Sequence, residues 1–185
     1  MNNKVGKSNF TITTLKANLY AVPIVVLSIL IIGGAYSIFY SLSEIFDGFS
    51  SRLFHLPTFF IIFIFGAFLH ELLHAAAFII FGKLEITQVK LGFIWKYLTP
   101  FAHCKVAVKS SVYRIALFMP TFILGIIPSI VAIIFGLNWL IIYGMLFTIL
   151  GGGDILVLLL MRSIEADILV KDHPSMCGCE IIAKN

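Results

Sequence analysis

The chain has 185 residues, of which 60% are hydrophobic and 12% charged, with a net charge of +4; its mean hydropathy is +1.05. Soluble domains sit near about 45–50% apolar and about 25% charged, so a soluble fold of this chain would have to expose many Phe, Ile and Leu side chains, a difficulty that lipid removes. The length suits one domain spanning 1–185, and the basic residues are too scattered, with no recognition motif, to predict a nucleic-acid partner.

The first sixteen residues are polar and basic. The apolar run at about 19–40 is long enough to cross a hydrocarbon core of about 30 Å. It exceeds the ~7–15 residues of a signal-peptide apolar region, so a retained transmembrane helix is predicted. Polar residues then interrupt it, and SLSEIFDGFS fits a short amphipathic helix at the interface. A second crossing is predicted at about 59–81. The 83–114 segment differs: LEITQVKLGF and CKVAVKSSV alternate between apolar and polar residues, as half-buried strands do. A small β-hairpin or sheet is expected there, with FIWKYLTPF as its turn region.

A third crossing at about 115–135 carries Pro120, Gly125 and Pro128. Such breakers are tolerated in membrane helices where neighbours re-satisfy the backbone, which predicts a kink. GLN forms a turn, with Asn138 suited to a helix cap. The fourth crossing, about 139–161, is interrupted by Gly-Gly-Gly-Asp at 151–154, and the tail at 162–185 is polar, its first part fitting a short amphipathic helix. The fold class expected is thus an all-α polytopic membrane protein of four transmembrane helices, with a small β-hairpin or sheet between helices 2 and 3.

Four crossings put both termini on one side. Twelve of the thirteen Lys and Arg residues then share that side: Lys4, Lys7 and Lys16; Lys83, Lys90, Lys96, Lys105, Lys109 and Arg114; Arg162, Lys171 and Lys184. Only Arg52 falls opposite. The positive-inside rule makes that side cytoplasmic, in a multi-pass protein of the cell membrane. Cys104, Cys177 and Cys179 fall on the same side, where disulfides are not expected. Their ordinary reading is free thiols, and the spacing of Cys177 and Cys179 does not make a structural zinc site by itself.

The informative feature is polar. His70-Glu71-Leu72-Leu73-His74 matches H-E-x-x-H inside an apolar crossing. Histidines four apart lie on one helical face, so both imidazoles can reach one metal ion, while Glu71, about 100° round the helix, can act on a water as a base. A carboxylate and two imidazoles in lipid cost several kcal/mol unless paired or bound. A polar structural network, or a site for a transported or sensed metal, would use the same residues, but catalysis is the preferred reading. A catalytic zinc site needs a third protein ligand and an open position. Asp154 is the only acid inside another crossing, at a similar depth to His70 and His74; its plain alternative is a cap at the helix break. His103 and His173 are accessory candidates that could fold back towards the metal, although each also reads as an ordinary interfacial histidine. His55, on the other side, reads as a surface residue.

The segments HELLHAAAF, TPFAHCK, ALFMPTFILGIIP, GLNWLIIYG, GGGDILVL and DHPSMCGC, in that order, resemble the zincin-type membrane peptidases of a widespread bacterial family of unknown function, distantly similar to the site-two proteases. The likeness covers most of the chain from about 59 to 178. It implies a zinc-dependent intramembrane metallopeptidase with His70, His74 and Asp154 as metal ligands and Glu71 as the catalytic residue. It departs from the site-two pattern in having Gly-Gly-Gly-Asp where those enzymes carry an Asn-Pro-Asp-Gly-like setting. The substrate expected is a transmembrane or membrane-proximal peptide segment, paired in extended form with the strands at about 84–108. The alternatives are a metal transporter or sensor without hydrolysis, or a membrane assembly factor.

Overall fold

A computed structural model describes residues 9–95, 99–173 and 176–182. Lys4, Lys7, Lys96 and Lys184, used above for orientation, Pro174 and Ser175 of DHPSMCGC, and the centre of FIWKYLTPF lie outside the described residues. The elements in order are β1 (Asn9–Ile12), α1 (Thr14–Ser37), α2 (Leu42–Gly48), α3 (Leu56–Gly82), β2 (Val89–Ile94), β3 (Thr99–Cys104), β4 (Val108–Lys109), α4 (Ser110–Pro120), α5 (Ile127–Phe135), α6 (Asn138–Leu150), α7 (Gly152–Leu160), β5 (Leu169–Asp172) and β6 (Cys177–Ile181). A π-helical stretch, Thr121–Ile126, joins α4 to α5.

Among the described residues, three helical stretches are long and apolar enough to cross a membrane: Leu15–Ser37, Leu56–Gly82 and Ser110–Phe135. The fourth expected crossing is two helices, α6 and α7 (extended to Ser163), bent by 45° at Gly151 and passing the same test only as a pair. The outward faces are Leu, Ile, Val and Phe, as on Leu27, Leu30, Ile61, Ile64, Phe65, Ile130 and Ile134, which in water would be a large apolar patch and in lipid is the ordinary surface. The short amphipathic helix is α2, held by a capping box between Ser41 and Glu44.

The hairpin expected between the second and third crossings is present as β2 and β3, antiparallel, with Leu91 opposite Ala102 and Lys90 opposite His103. Its limits are narrower than the alternation suggested. Ile86–Gln88 forms a 3₁₀ turn, and of CKVAVKSSV only Val108–Lys109 is a separate strand before α4 begins at Ser110.

Two expectations are corrected. The chain is not all-α apart from that hairpin: a second, four-stranded antiparallel sheet has the order β1-β6-β5-β4. The tail does not continue as an amphipathic helix; after a 3₁₀ turn at Met161–Ser163 it forms β5 and β6. Helical periodicity in the tail loses to sheet pairing because its apolar residues have distant partners: Val170 and Cys179, fully buried, join a core with Phe78, Tyr113 and Met161. The sheet hydrogen-bonds the N-terminal strand, the end of the 83–114 segment and the tail together, so these three segments lie at one end of the helices. Gly178 permits the closest pairing. Its φ is +112°, and a Cβ there would run into the Phe10 carbonyl, so only glycine fits.

Candidate metal centre

The buried residues of α3 are Gly66, His70, His74, Ala75, Ala77 and Phe78, a stripe at helical spacing that faces α4 and α6. Gly66, one turn before His70, has its Cβ position filled by the Phe147 ring. Phe59, Phe63, Phe147 and Tyr143 continue this aromatic packing away from the sheet. Towards the sheet the space opens into a cavity of about 670 Å³, lined among others by Glu71, His74 and Asp154 on its helical floor and by His103, Asp172 and His173 on its sheet side.

His70 and His74 are both buried. Their rings sit 4.8 Å apart, and Asp154 reaches both: its Oδ2 is 3.0 Å from His70 Nε2 and 3.4 Å from His74 Nε2. Asp154 reaches them because α7 starts afresh at the bend. Gly151 is packed so tightly that its Cβ would overlap the Thr121 side chain, and a Cβ on Gly152 would lie 2.7 Å from Val25. Gly153 borders the cavity, with open space beside it. Asp154 thus stands in the first turn of α7, where the helix dipole favours a carboxylate.

His74 Nδ1 lies 2.8 Å from the Ala116 carbonyl. A carbonyl can only accept, so Nδ1 carries the proton. The availability of that carbonyl follows from the sequence. In an α-helix it would accept from the residue four on, which is Pro120, and proline has no N–H. With Nδ1 protonated, neutral His74 turns an Nε2 lone pair towards the Asp154 carboxylate. Two acceptors facing each other are stable only with a cation between or beside them, a proton or a metal.

The donor set supports the metal. Two imidazole nitrogens and a carboxylate oxygen are a catalytic-zinc ligand set, and ligands at about 2.0–2.1 Å in a tetrahedron stand about 3.3 Å from each other, close to the two separations seen. The Nδ1–carbonyl bond is the outer contact that orients such a ligand. Glu71 also brings an oxygen within a mutual 4.8 Å of both imidazoles, so two carboxylates compete for the third place. Asp154 fits it better. One Asp154 oxygen touches both rings, whereas Glu71 Oε2 accepts a 2.7 Å hydrogen bond from the Ala102 backbone N–H of β3.

The accessory histidines are on the cavity wall with partners of their own. His103 Nδ1 is 2.7 Å from Asp172 Oδ2, and Tyr113 donates its hydroxyl to the other Asp172 oxygen at 2.8 Å. His173 Nε2 is 3.4 Å from Glu180, and its Nδ1 accepts from the Met176 N–H at 2.9 Å. Burial holds the Asp172 carboxyl above the usual carboxylate range, outweighing the opposing effects of Tyr113 and His103. Cys104, Cys177 and Cys179 are not joined by disulfides. Burial pushes the Cys179 thiol up to about 12, helped by the charge of Asp172, so it packs as a neutral thiol. Asn138 is the first residue of α6 and not its cap, a position that Leu137 holds, and His55 stands at the N-cap position of α3 without a side-chain cap bond, both at the helix ends away from the sheet.

Sequence reasoning missed Ala116, Ala102 and Asp172. The first had a signal, since a proline in a membrane helix frees the carbonyl four residues before it. The other two had none, because they come from strand placement.

A polar cavity with a helical H-E-x-x-H face, set among helices of membrane-spanning length, defines a zincin-type site. Residues 63–169, more than half of the chain, match the family described as "Putative zincin peptidase", and the protein belongs to that family. Comparison with curated proteins and with solved structures finds no match.

Proposed function

We propose that the protein is an intramembrane zinc metallopeptidase that cleaves transmembrane or membrane-proximal peptide segments. The observation that carries this reading is the convergence of His70 and His74 Nε2 on one oxygen of Asp154, with Glu71 beside them at the edge of a polar cavity. His70, His74 and Asp154 would hold the zinc. When bound, the ion supplies Lewis acidity, acidifying a water and polarising a peptide carbonyl.

Glu71 takes the proton as the water oxygen attacks the carbonyl carbon. It then returns that proton to the amide nitrogen as the C–N bond breaks. The Ala102 N–H holds Oε2 in place, leaving Oε1 for this work. The aromatic packing from Phe59 to Phe147 keeps water out from the far end.

A second, largely apolar space of about 470 Å³ supports a membrane substrate. It lies between α3 and the hairpin, with Phe65, Phe68, Leu72, Leu91 and Phe93 among its walls. Glu71 and Phe101 border both this space and the polar cavity, so an apolar segment has a route from the lipid-facing side of α3 to the base. We place the N terminus, the 83–114 segment and the C terminus in the cytoplasm, on the strength of the charge distribution. Their union in one sheet supports a shared side.

The test is zinc content and cleavage of a hydrophobic reporter segment by the purified protein in lipid nanodiscs, beside Glu71→Gln. Glutamine keeps the volume but cannot accept the proton. Zinc should stay stoichiometric while cleavage falls by about 10²–10⁴-fold. Cleavage by the Gln variant at the unaltered rate would sink the peptidase reading. Metal transport surviving in that variant would favour a transporter.

A further inference from the structure

Outside the metal-binding triad, the cavity wall carries a hydrogen-bonded set, centred on His103, that the chemistry above leaves unused. His103 is half-buried on the wall of the cavity that Glu71, His74 and Asp154 also line. Its Nδ1 is fixed on Asp172 at 2.7 Å, and Asp172 is fixed in turn by the Tyr113 hydroxyl at 2.8 Å. A surface histidine needs neither. The chain builds this set from three distant places: β3, β5 and the first turn of α4. It also ties the set to the base, since the residue before His103 is Ala102, whose N–H holds Glu71. The same short strand therefore positions Glu71 through its backbone and presents an oriented imidazole to the same space. Across the hairpin, Lys90 is paired with His103 in register and also lines the cavity. On this side of the cavity Lys90 and His103 stand beside the Asp172 carboxylate, and the helical floor carries Glu71 and Asp154.

Peptide hydrolysis needs such an arrangement. When water adds to the carbonyl carbon, negative charge gathers on the carbonyl oxygen, and a donor fixed beforehand at that oxygen stabilises the transition state more than the substrate. With Nδ1 committed to Asp172, Nε2 is the ring nitrogen left to meet a peptide in the cavity, and as an N–H it donates.

We propose that His103 is a further catalytic residue, donating a hydrogen bond through Nε2 to the carbonyl oxygen of the scissile peptide, with Asp172 and Tyr113 as the positioning residues that fix its ring. No proton is transferred in this role; His103 keeps it throughout. The inference rests on the peptidase reading above.

The experiment uses the full-length, zinc-loaded protein in nanodiscs, with His103→Gln and Asp172→Asn compared with the unaltered protein. Three quantities are read: zinc per chain, kcat and KM on the hydrophobic reporter, and calorimetric affinity for the same peptide with a phosphinate replacing the cleaved amide. The phosphinate carries the tetrahedral shape and negative oxygen of the addition product. His103→Gln should keep its zinc, lose about 10²-fold in kcat with KM little changed, and bind the phosphinate more weakly by a similar factor. Asp172→Asn should show a smaller loss of the same kind, which also serves if the His103 variant does not fold. Unchanged kcat and phosphinate affinity in a folded, zinc-loaded His103→Gln protein would overturn the role. Loss of zinc from it would do so too, by making His103 a metal ligand. If Glu71→Gln is as active as the unaltered protein, the peptidase reading fails first. A loss confined to the His103 and Asp172 variants is therefore distinguishable from that failure.

Discussion

On the helical floor of the cavity, His70 and His74 converge on one carboxylate, Asp154. On the sheet side, His103 and His173 each close on a different one, Asp172 and Glu180. Two bases sharing one acid, one of them with its proton committed to the Ala116 carbonyl, leave lone pairs facing one another and call for a cation. One base per acid makes self-contained pairs that hold strands together and orient a ring. The same residue types are thus arranged differently in the two regions: the floor histidines share one carboxylate oxygen, whereas each sheet-side histidine has a carboxylate of its own.

Removing a floor histidine is the strongest way to test that contrast. His74→Ala should lose essentially all zinc and all cleavage, measured by metal analysis and reporter turnover. A His173→Ala protein should keep its metal. Equal metal content in both would erase the distinction. Asp154→Ala comes next. It removes the oxygen the two imidazoles share, and zinc affinity should fall by more than about 100-fold, beyond the 10–100-fold typical of losing an outer contact. Undiminished zinc would move the third place to Glu71.

A milder change separates the base from the metal. Ala102→Pro deletes the N–H that holds Glu71. Pro100, two residues earlier in β3, already lacks the N–H of the same strand face, and proline is tolerated at such an edge. The variant should keep its zinc and lose about 10-fold in kcat, less than the about 10²–10⁴-fold expected for losing the base itself. An unchanged rate would show that Glu71 needs no clamp.

Gly151→Ala probes the bend that delivers Asp154. The new methyl meets Thr121, and overpacking of this kind costs about 1–3 kcal/mol. A lower thermal midpoint, recovered in part by adding Thr121→Ala, would confirm the contact through the coupling of the two changes.

The smallest effect is one of pH on the sheet side. Because burial raises the Asp172 pKa above its usual value near 3.8, the folded protein holds the proton more tightly than the unfolded chain does. The resulting stabilisation is complete below the unfolded value and is lost as pH rises through the folded one. Asp172→Asn cannot ionise, so its stability relative to the unaltered protein should improve as pH rises across that window. A constant difference would mean that the ionisation is not coupled to folding.

Much of the floor was legible in the sequence. The four-residue spacing of His70 and His74 puts both rings on one face of any α-helix, and the cost of a lone acid in lipid singled out Asp154. The hairpin was legible in outline from its alternation. The four-stranded sheet was not, since β1 and β6 pair residues about as far apart as the chain allows: Phe10 lies opposite Cys179. Nothing local in either segment encodes that partner. The tail's apolar residues suit a helix face as well as a strand, and only packing on Phe78 and Tyr113 separates the two.

The sequence by itself therefore determined the properties carried by helix pitch and by transfer from water to lipid: which segments are apolar enough to span and where the H-E-x-x-H face lies. Tertiary structure alone decided which groups meet across elements: His74 with the Ala116 carbonyl, Glu71 with Ala102, and His103 with Asp172. The reason is range. Pitch and hydropathy act over a few residues and are fixed by local covalent geometry, whereas a hydrogen bond between residues 31 or 59 positions apart, as for Ala102 to Glu71 and Tyr113 to Asp172, exists only after packing has brought their elements together.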